Sequence, residues 1–280
     1  MKRSAVPVTM GSPRFHSVDT GRCLATEAWF PPHAQLPPHT HDRSIFAVML
    51  RGGFRSEIAG RTLQCDPFAI WTEPSEERHA NYVGREGALV LVVQPDPADA
   101  GMFEPFKRLT SEVQLLADAG IASDARRVLR EIRLGDSLTS LGVDGLVMTM
   151  MTAASRLRLA GKTHSPPPRW LLQARDMVHA RFREGIRLAD IAREAGVHPS
   201  HLAHAFRTHF GVPVAAYARS LRLQWAIDKL ADSTLAISDI AVSAGFSDQS
   251  HLTRECRRSL GVSPAEYRRS HGRAQGGSGG

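Results

Sequence analysis

The sequence predicts an α+β chain of several domains: a β-rich N-terminal part, a helical connector and an all-α C-terminal part. Three observations carry this. Short apolar runs punctuated by Gly and Pro fill roughly the first hundred residues. Apolar residues at helical spacing follow as far as about residue 162. Beyond Ser165-Pro166-Pro167-Pro168 the helical pattern continues, and a block of sequence occurs twice.

The size of the chain suits this division. At about 100–200 residues per domain, 280 residues make about two domains, each able to bury a core. A hydrophobic content of 42% excludes disorder for most of the chain. The three cysteines, Cys23, Cys65 and Cys256, contain no C-x-x-C pair. This excludes a disulfide scaffold and a Cys-rich zinc module, and it suits a reducing compartment. The densest apolar runs, Ala88–Val93 and Gly145–Met151, fall far short of the ~20 residues a membrane span needs. No apolar stretch follows Met1-Lys2-Arg3-Ser4, so no signal peptide is expected. A cytoplasmic chain with no membrane partner is the expectation.

Residues 1–104 read as a small β-barrel or sandwich. Ile45–Leu50, Phe68–Thr72 and Ala88–Val93 are rich in Ile, Val, Phe and Trp. The turn signals between such runs are Arg51-Gly52-Gly53, Ala59-Gly60, Cys65-Asp66-Pro67 and Tyr82-Val83-Gly84. Residues 105–164 read as a helical connector. Val113 and Leu116 open its apolar stripe, followed by Ala125, Val128, Leu129 and Ile132, then Leu138, Leu141, Leu146, Val147, Met150 and Met151. Gly120 and Gly135-Asp136 interrupt the stripe. Met148–Met151 reads as core, and the stripes over 123–160 as a surface for pairing subunits into a homodimer. Pro166–Pro168 reads as a stiff linker, and residues 271–280 as a disordered Gly/Ser-rich tail.

Charge separates the two halves. Residues 1–164 carry 19 basic and 18 acidic side chains, and residues 165–280 carry 16 and 10. The excess of +6 in the second half is almost all Arg, whose planar fork suits phosphate. The same half holds the repeat. Asp190-Ile191-Ala192 returns as Asp239-Ile240-Ala241, and Ala195-Gly196 as Ala244-Gly245. Ser200-His201-Leu202 returns as Ser250-His251-Leu252, Gly211-Val212 as Gly261-Val262, and Tyr217 as Tyr267. Each copy reads as helix, turn, helix. Leu188, Ile191, Ala192 and Ala195 face inward in the first copy, as Ile237, Ile240, Ala241 and Ala244 do in the second. Gly196 and Gly245 supply the left-handed turns. The second helices start near His198-Pro199 and at Asp248, and they bury Leu202, Ala205, Phe206 and Phe210, or Leu252, Cys256 and Leu260. This is helix-turn-helix geometry, in which the second helix enters the DNA major groove. Its outward positions are Pro199, Ser200, Ala203, His204 and Arg207 in one copy, and Asp248, Gln249, Ser250, Thr253, Arg254 and Arg257 in the other. Gln suits adenine, Arg suits guanine, and Thr can meet a thymine methyl. The helical run Leu221–Leu230 joins the copies and would set their spacing.

Residues 165–270 closely resemble the DNA-binding domain of the AraC/XylS family of transcription regulators. The carrying residues are Ile240-Ala241-x-x-Ala244-Gly245-Phe246-Ser247, Ser250-His251-Leu252-x-Arg254, and Gly261-Val262-Ser263-Pro264-x-x-Tyr267-Arg268. One residue departs from the pattern: Cys256 stands where the family has Phe, as Phe206 does in the first copy. The resemblance implies promoter DNA and RNA polymerase as partners, activation rather than repression, and no catalysis. It places base contacts at Ser200, Ala203, His204, Gln249, Ser250, Thr253 and Arg254. Arg207 and Arg257, closing their helices, suit phosphate.

The N-terminal part resembles a cupin barrel. Its signature is Pro38-His39-Thr40-His41, then Gly52-Gly53 and Gly60, then Pro74 followed by His79. The resemblance implies an effector or dimerisation module taking a small molecule. On a strand, His39 and His41 share a face, and His79 could join them from a later strand. Three imidazoles can hold Zn, Fe, Ni or Cu, or they can line a pocket. Metal-binding cupins add a Glu about four residues after the second His, where this chain has Ile45 and Phe46, and Asp42 points to the other face. No cofactor is therefore required. A cupin metalloenzyme of dioxygenase type with an appended helical domain is the alternative. The missing fourth ligand and the tandem DNA-reading units weigh against it.

Overall fold

The computed structural model describes residues 12–160 and 167–271. The readings of Met1–Ser4, of Ser165-Pro166 and of the tail beyond His271 fall outside these residues. The chain divides into two compact units, Met1–Pro166 and Pro167–Gly280. No helix among the described residues is long and apolar enough to cross a membrane.

The first unit is built on an antiparallel sheet. Its strands are β1 (Arg14–Asp19), β2 (Cys23–Phe30), β3 (Gln35–His39), β4 (Ile45–Ile58), β5 (Arg61–Cys65), β6 (Ala69–Glu73), β7 (His79–Pro95) and β8 (Gln114–Ala117). The order is β1-β2-β7-β4-β6-β8, with β3 also on β7 and β5 on β4. The long strands β4 and β7 form the spine, running from Phe46↔Val93 to Ile58↔His79. Their inward faces bury Ala47, Met49, Phe54, Ile58, Val83, Ala88 and Val90, with Trp71 of β6.

Two of the four turn signals are turns. Ala59-Gly60 joins β4 to β5, and Cys65-Asp66-Pro67 leads to β6. The other two are corrected by the structure: Arg51-Gly52-Gly53 lies inside β4, and Tyr82-Val83-Gly84 inside β7. The β4–β7 register slips between Met49 and Arg51 and again between Gly52 and Phe54, which marks bulges. Gly52 has φ +65°, and a Cβ there would lie 1.9 Å from the Gly87 carbonyl oxygen. The glycines thus let two backbones close on each other and bend a continuous ribbon without reversing it.

Next come α1 (Ala100–Phe103), a 3-10 turn (Glu104–Phe106) and α2 (Lys107–Thr110). The helical expectation at Val113 and Leu116 is also corrected. Gln114–Ala117 is a strand, because it pairs with β6 along Ala69↔Ala117 to Thr72↔Gln114. Pairing at a sheet edge overrides a short apolar run that reads equally as helix or strand. Helix α3 (Ala119–Leu134) is capped by Asp118, whose carboxylate accepts the Ile121 N–H at 2.9 Å. It ends at Gly135, and α4 (Thr139–Leu159) follows. The stripe is mostly consumed here: Ala125, Val128, Leu129, Ile132, Val147, Met150 and Met151 are buried. Arg133 of α3 binds Glu27 of β2 at 2.9 Å, and Arg22 reaches Asp144 of α4 at 3.2 Å. Leu134, Leu138, Leu141 and Leu159 stay exposed.

The second unit is all α: α5 (Arg169–Arg181), α6 (Leu188–Glu194), α7 (Pro199–Phe210), α8 (Val214–Asp232), α9 (Ile237–Ser243), α10 (Gln249–Leu260) and α11 (Pro264–His271). The repeat becomes two helix pairs, α6/α7 and α9/α10. Both turns close alike: the Val197 N–H donates to the Ala192 carbonyl at 2.9 Å, and Phe246 to Ala241 at 3.0 Å. Gly245 has φ +87°, and a Cβ there would meet the Arg183 carbonyl oxygen at 2.4 Å. Helix α8 is continuous and packs against both pairs. Phe206, Phe210 and Tyr217 stack in the first core, with centroids 4.5–5.8 Å apart. In the second, Cys256 is fully buried among Ile240, Ala241, Leu252 and Tyr267, and burial pushes its thiol up to about 12.

Candidate nucleic-acid interface and histidine site

Helices α7 and α10 each bury one face and turn the other to solvent. Buried Leu202, Ala205, Phe206 and Phe210 define the inner face of α7. Opposite lie exposed Ser200, His204 and Arg207 and half-buried Ala203. On α10, Leu252, Glu255 and Cys256 are buried. Gln249, Ser250, Arg254 and Arg257 are exposed, and Thr253 is half-buried. Each sequence-derived DNA position therefore lies on the outer side of its helix.

The caps distinguish the two helices. His198 caps α7: its Nδ1 accepts the Ser200 N–H at 3.3 Å and lies 2.7 Å from the Ser200 hydroxyl. That hydroxyl is already engaged, which leaves His204 and Arg207 as outward polar side chains of α7 without a partner among the described residues. Asp248 caps α10 by accepting the His251 N–H at 2.7 Å. This hydrogen bond, and one from the Ser247 hydroxyl, hold the Asp248 carboxyl below the usual carboxylate range. Thr253 donates its hydroxyl to the Gln249 carbonyl at 2.8 Å. Its methyl is the group left to contact a base.

Charge commitment separates the arginines. Arg181 pairs with Glu194 at 2.6 Å, Arg193 with Asp190 at 2.8 Å, and Arg258 with Glu255. Arg207, Arg254 and Arg257 form no ion pair among the described residues. Their guanidinium forks are available to an external acceptor, and a bidentate partner could be guanine or phosphate.

A second cluster lies in the first unit. His39 ends β3 and is the cross-strand partner of His79, the first residue of β7. His41 was expected on the same strand as His39. It lies instead two residues beyond β3, where its carbonyl accepts the Glu76 N–H at 2.8 Å. The loop still delivers it. Ring centroids are 4.3 Å apart for His39–His79, 4.9 Å for His39–His41 and 5.1 Å for His41–His79. One nitrogen from each ring can be chosen so that all three lie within 4.8 Å of one another. Nδ1 of His39 is 2.8 Å from the Pro37 carbonyl, and Nδ1 of His79 is 3.1 Å from that of Glu77. A carbonyl only accepts, so Nδ1 is the donor in each of these two rings, which leaves Nε2 as the nitrogen open to a ligand. Burial, then the charges of His79 and His39, lower His41 to about 4, so its ring is neutral at pH 7.

Sequence reasoning missed Glu73. This last residue of β6 is 3% exposed. The Trp71 indole N–H donates to its Oε1 at 2.8 Å. Its Oε2 lies 3.3 Å from His79 Nε2, without the alignment of a hydrogen bond, and has no other partner. Burial raises this carboxyl. The sequence reading sought a carboxylate at Ile45, and Glu73 is the residue that faces Ile45 in the β4–β6 ladder. The local signal was a Glu two residues from Trp71 in a short strand buried on both faces. Asp42 is exposed, and the Cys65 thiol is buried away in the core.

Comparison with known proteins bears on the second unit most directly. A helix-turn-helix domain model matches residues 191–270. The chain is 27% identical to the virulence regulon transcriptional activator VirF of Yersinia enterocolitica, over 79% of each chain. It is 34% identical to the HTH-type transcriptional activator AarP of Providencia stuartii, over 33% of this chain and 69% of AarP. It is 35% identical to the HTH-type transcriptional regulator ExsA of Pseudomonas aeruginosa, over 29% of this chain and 30% of ExsA.

Proposed function

The chain belongs to the AraC/XylS family of DNA-binding transcription regulators, and from that premise we propose that it activates promoters by reading them with two tandem helix-turn-helix units. The single observation that carries the mechanism is the pair of outward faces on α7 and α10. Arg207, Arg254 and Arg257 on these faces form no ion pair among the described residues, while the opposite faces anchor the helices to two cores. Gln249, Thr253 and Arg254 read base edges, with Ser250 and, on α7, Ser200, Ala203 and His204 beside them. Arg207 and Arg257 hold phosphate. The arrangement fits residues 165–270 as the DNA-binding domain and residues 1–104 as a cupin-like barrel that receives a small-molecule effector. It fits residues 105–164 as the segment that pairs two chains, where Leu134, Leu138 and Leu141 cluster around the α3–α4 turn and stay exposed. An effector with different affinities for two states of the protein would shift promoter binding or contact with RNA polymerase.

The test is selection of bound sequences from random double-stranded DNA by the purified chain, at fixed salt. The expected result is a defined motif with two elements about one helical turn apart. Binding that is uniform across sequences and lost at modest salt would reduce the second unit to an electrostatic patch. One observation favours a second reading. Glu73 supplies the carboxylate whose absence argued against a cupin metalloenzyme. That reading requires turnover by the metal-loaded chain.

A further inference from the structure

We infer that the N-terminal unit binds one divalent first-row transition-metal ion through His39, His41, His79 and Glu73, the carboxylate coming from β6 rather than from the strand that follows the histidines. The inference rests on the reading of this unit as the effector domain and names its ligand.

The geometry makes the case from four directions. The three imidazoles converge from two strands and a loop, with ligand nitrogens inside 4.8 Å. Two of them are oriented by backbone carbonyls at Nδ1, the outer-shell arrangement that aims Nε2 at a cation. Glu73 is buried with one oxygen tied to the Trp71 indole and the other, without a hydrogen-bond donor, 3.3 Å from His79 Nε2. A buried carboxylate oxygen without a donor is costly, and a cation is the partner that removes the cost. Finally, 3.3 Å between Glu73 Oε2 and His79 Nε2 suits two ligands of one ion. Bond lengths of about 2.1 Å put adjacent ligand atoms about 3.0–3.4 Å apart in octahedral or tetrahedral geometry.

The register explains how such a site escapes a motif search. Ile45 faces Glu73 directly across the β4–β6 ladder. Directly opposed residues project from the same face of a sheet with Cβ atoms about 4.5–5.5 Å apart. A carboxylate can therefore move one strand over and still reach the same point in space. The set of three imidazoles and one carboxylate, with no thiolate, suits Zn(II), Fe(II), Co(II), Ni(II) or Cu(II) rather than Cu(I) or Ca(II).

The experiment uses the untagged full chain, stripped with chelator and titrated with Co(II), whose visible d–d absorption reports on its ligands, followed by Zn(II) competition. Wild type is expected to take up one Co(II) per chain and to release it to Zn(II). His41→Ala is expected to abolish uptake. Glu73→Gln is expected to weaken it at least tenfold and to change the d–d spectrum. The double variant Ile45→Glu/Glu73→Ile returns the carboxylate across the ladder and is expected to recover binding that Glu73→Ile loses. No stoichiometric uptake by wild type overturns the inference whatever the variants do. Affinity and spectrum unchanged in a folded Glu73→Gln protein overturn the four-ligand assignment. DNA selection on the same preparation separates this inference from its premise. A defined motif without metal uptake sinks the metal site alone, and metal uptake without a motif sinks the regulator reading alone.

Discussion

Arg254 and Arg257 lie three residues apart on the outer side of α10, yet their removal is expected to have different consequences. Arg254 sits in the middle of the exposed face, between one and two turns from either end of the helix, beside Thr253 and Ser250. In the groove-facing part of a recognition helix such a fork reads guanine, so Arg254→Ala should cost about 1–3 kcal/mol and relax preference at one base position. Arg257 belongs to the last turn, where phosphate is the nearer acceptor. Arg257→Ala should weaken all sequences alike and lower the slope of log K against log salt by about one. Binding isotherms on a matched and a mismatched duplex at several salt concentrations separate the two outcomes. If both variants lose affinity equally on both duplexes, neither side chain reads a base. Thr253 adds a finer case. Because its hydroxyl is turned back to Gln249, Thr253→Ser should keep the helix and lose discrimination at a thymine.

Among the elements, the bent ribbon of β4 and β7 depends on Gly52. With φ +65° and no room for a Cβ against Gly87, Gly52→Ala should destabilise the first unit by more than about 2 kcal/mol. Chemical denaturation checks this, and a small change would mean that the bulge relaxes. Helix α10 depends on its Asp248 cap. Its carboxyl is held below the ordinary value, so its stabilisation is complete above an unfolded-state pKa of about 3.9 and fades as pH falls through the lower folded value. Asp248→Asn should remove that acid dependence from the melting of the second unit while keeping a side-chain oxygen for capping. These elements also show what the sequence makes legible. The helix pairs are readable because their signals are local: a glycine turn, a cap, a 3.6-residue stripe and a second copy for comparison. The Gly52 bulge reads as a turn because glycine serves both, and only the partner strand decides. Glu73 is illegible for the same reason. Its role follows from the pairing of Ile45 with Glu73, a contact between residues far apart in the chain that no motif spacing contains.

At the scale of the whole molecule, the pairing surface and the spacing of the recognition helices each carry an expectation. Leu138 and Leu141 are exposed by 66% and 70%, although the rest of their stripe is buried, so a Leu138→Glu/Leu141→Glu protein should keep its fold and sediment as a monomer if they form a dimer interface. A variant that stays dimeric would move the interface elsewhere. The spacing expectation follows from α8. At 1.5 Å per residue, the helix from Val214 to Asp232 is about 28 Å long, and it is uninterrupted and packed against both helix pairs. Successive major grooves on one face of DNA are about 34 Å apart. A connector of this kind leaves little freedom to search for a second groove, so one chain should demand a fixed interval between its two sequence elements. Inserting five base pairs between them turns the second element to the far side of the duplex. Affinity should then drop to that for a single element, and a full-turn insertion should restore little, because the distance would exceed what a rigid α8 can span. Fluorescence anisotropy with the three duplexes at one salt concentration gives the comparison. Equal affinity for all three would show that only one helix pair reads sequence, and that the basic charge concentrated after residue 165 serves the other pair as a phosphate clamp.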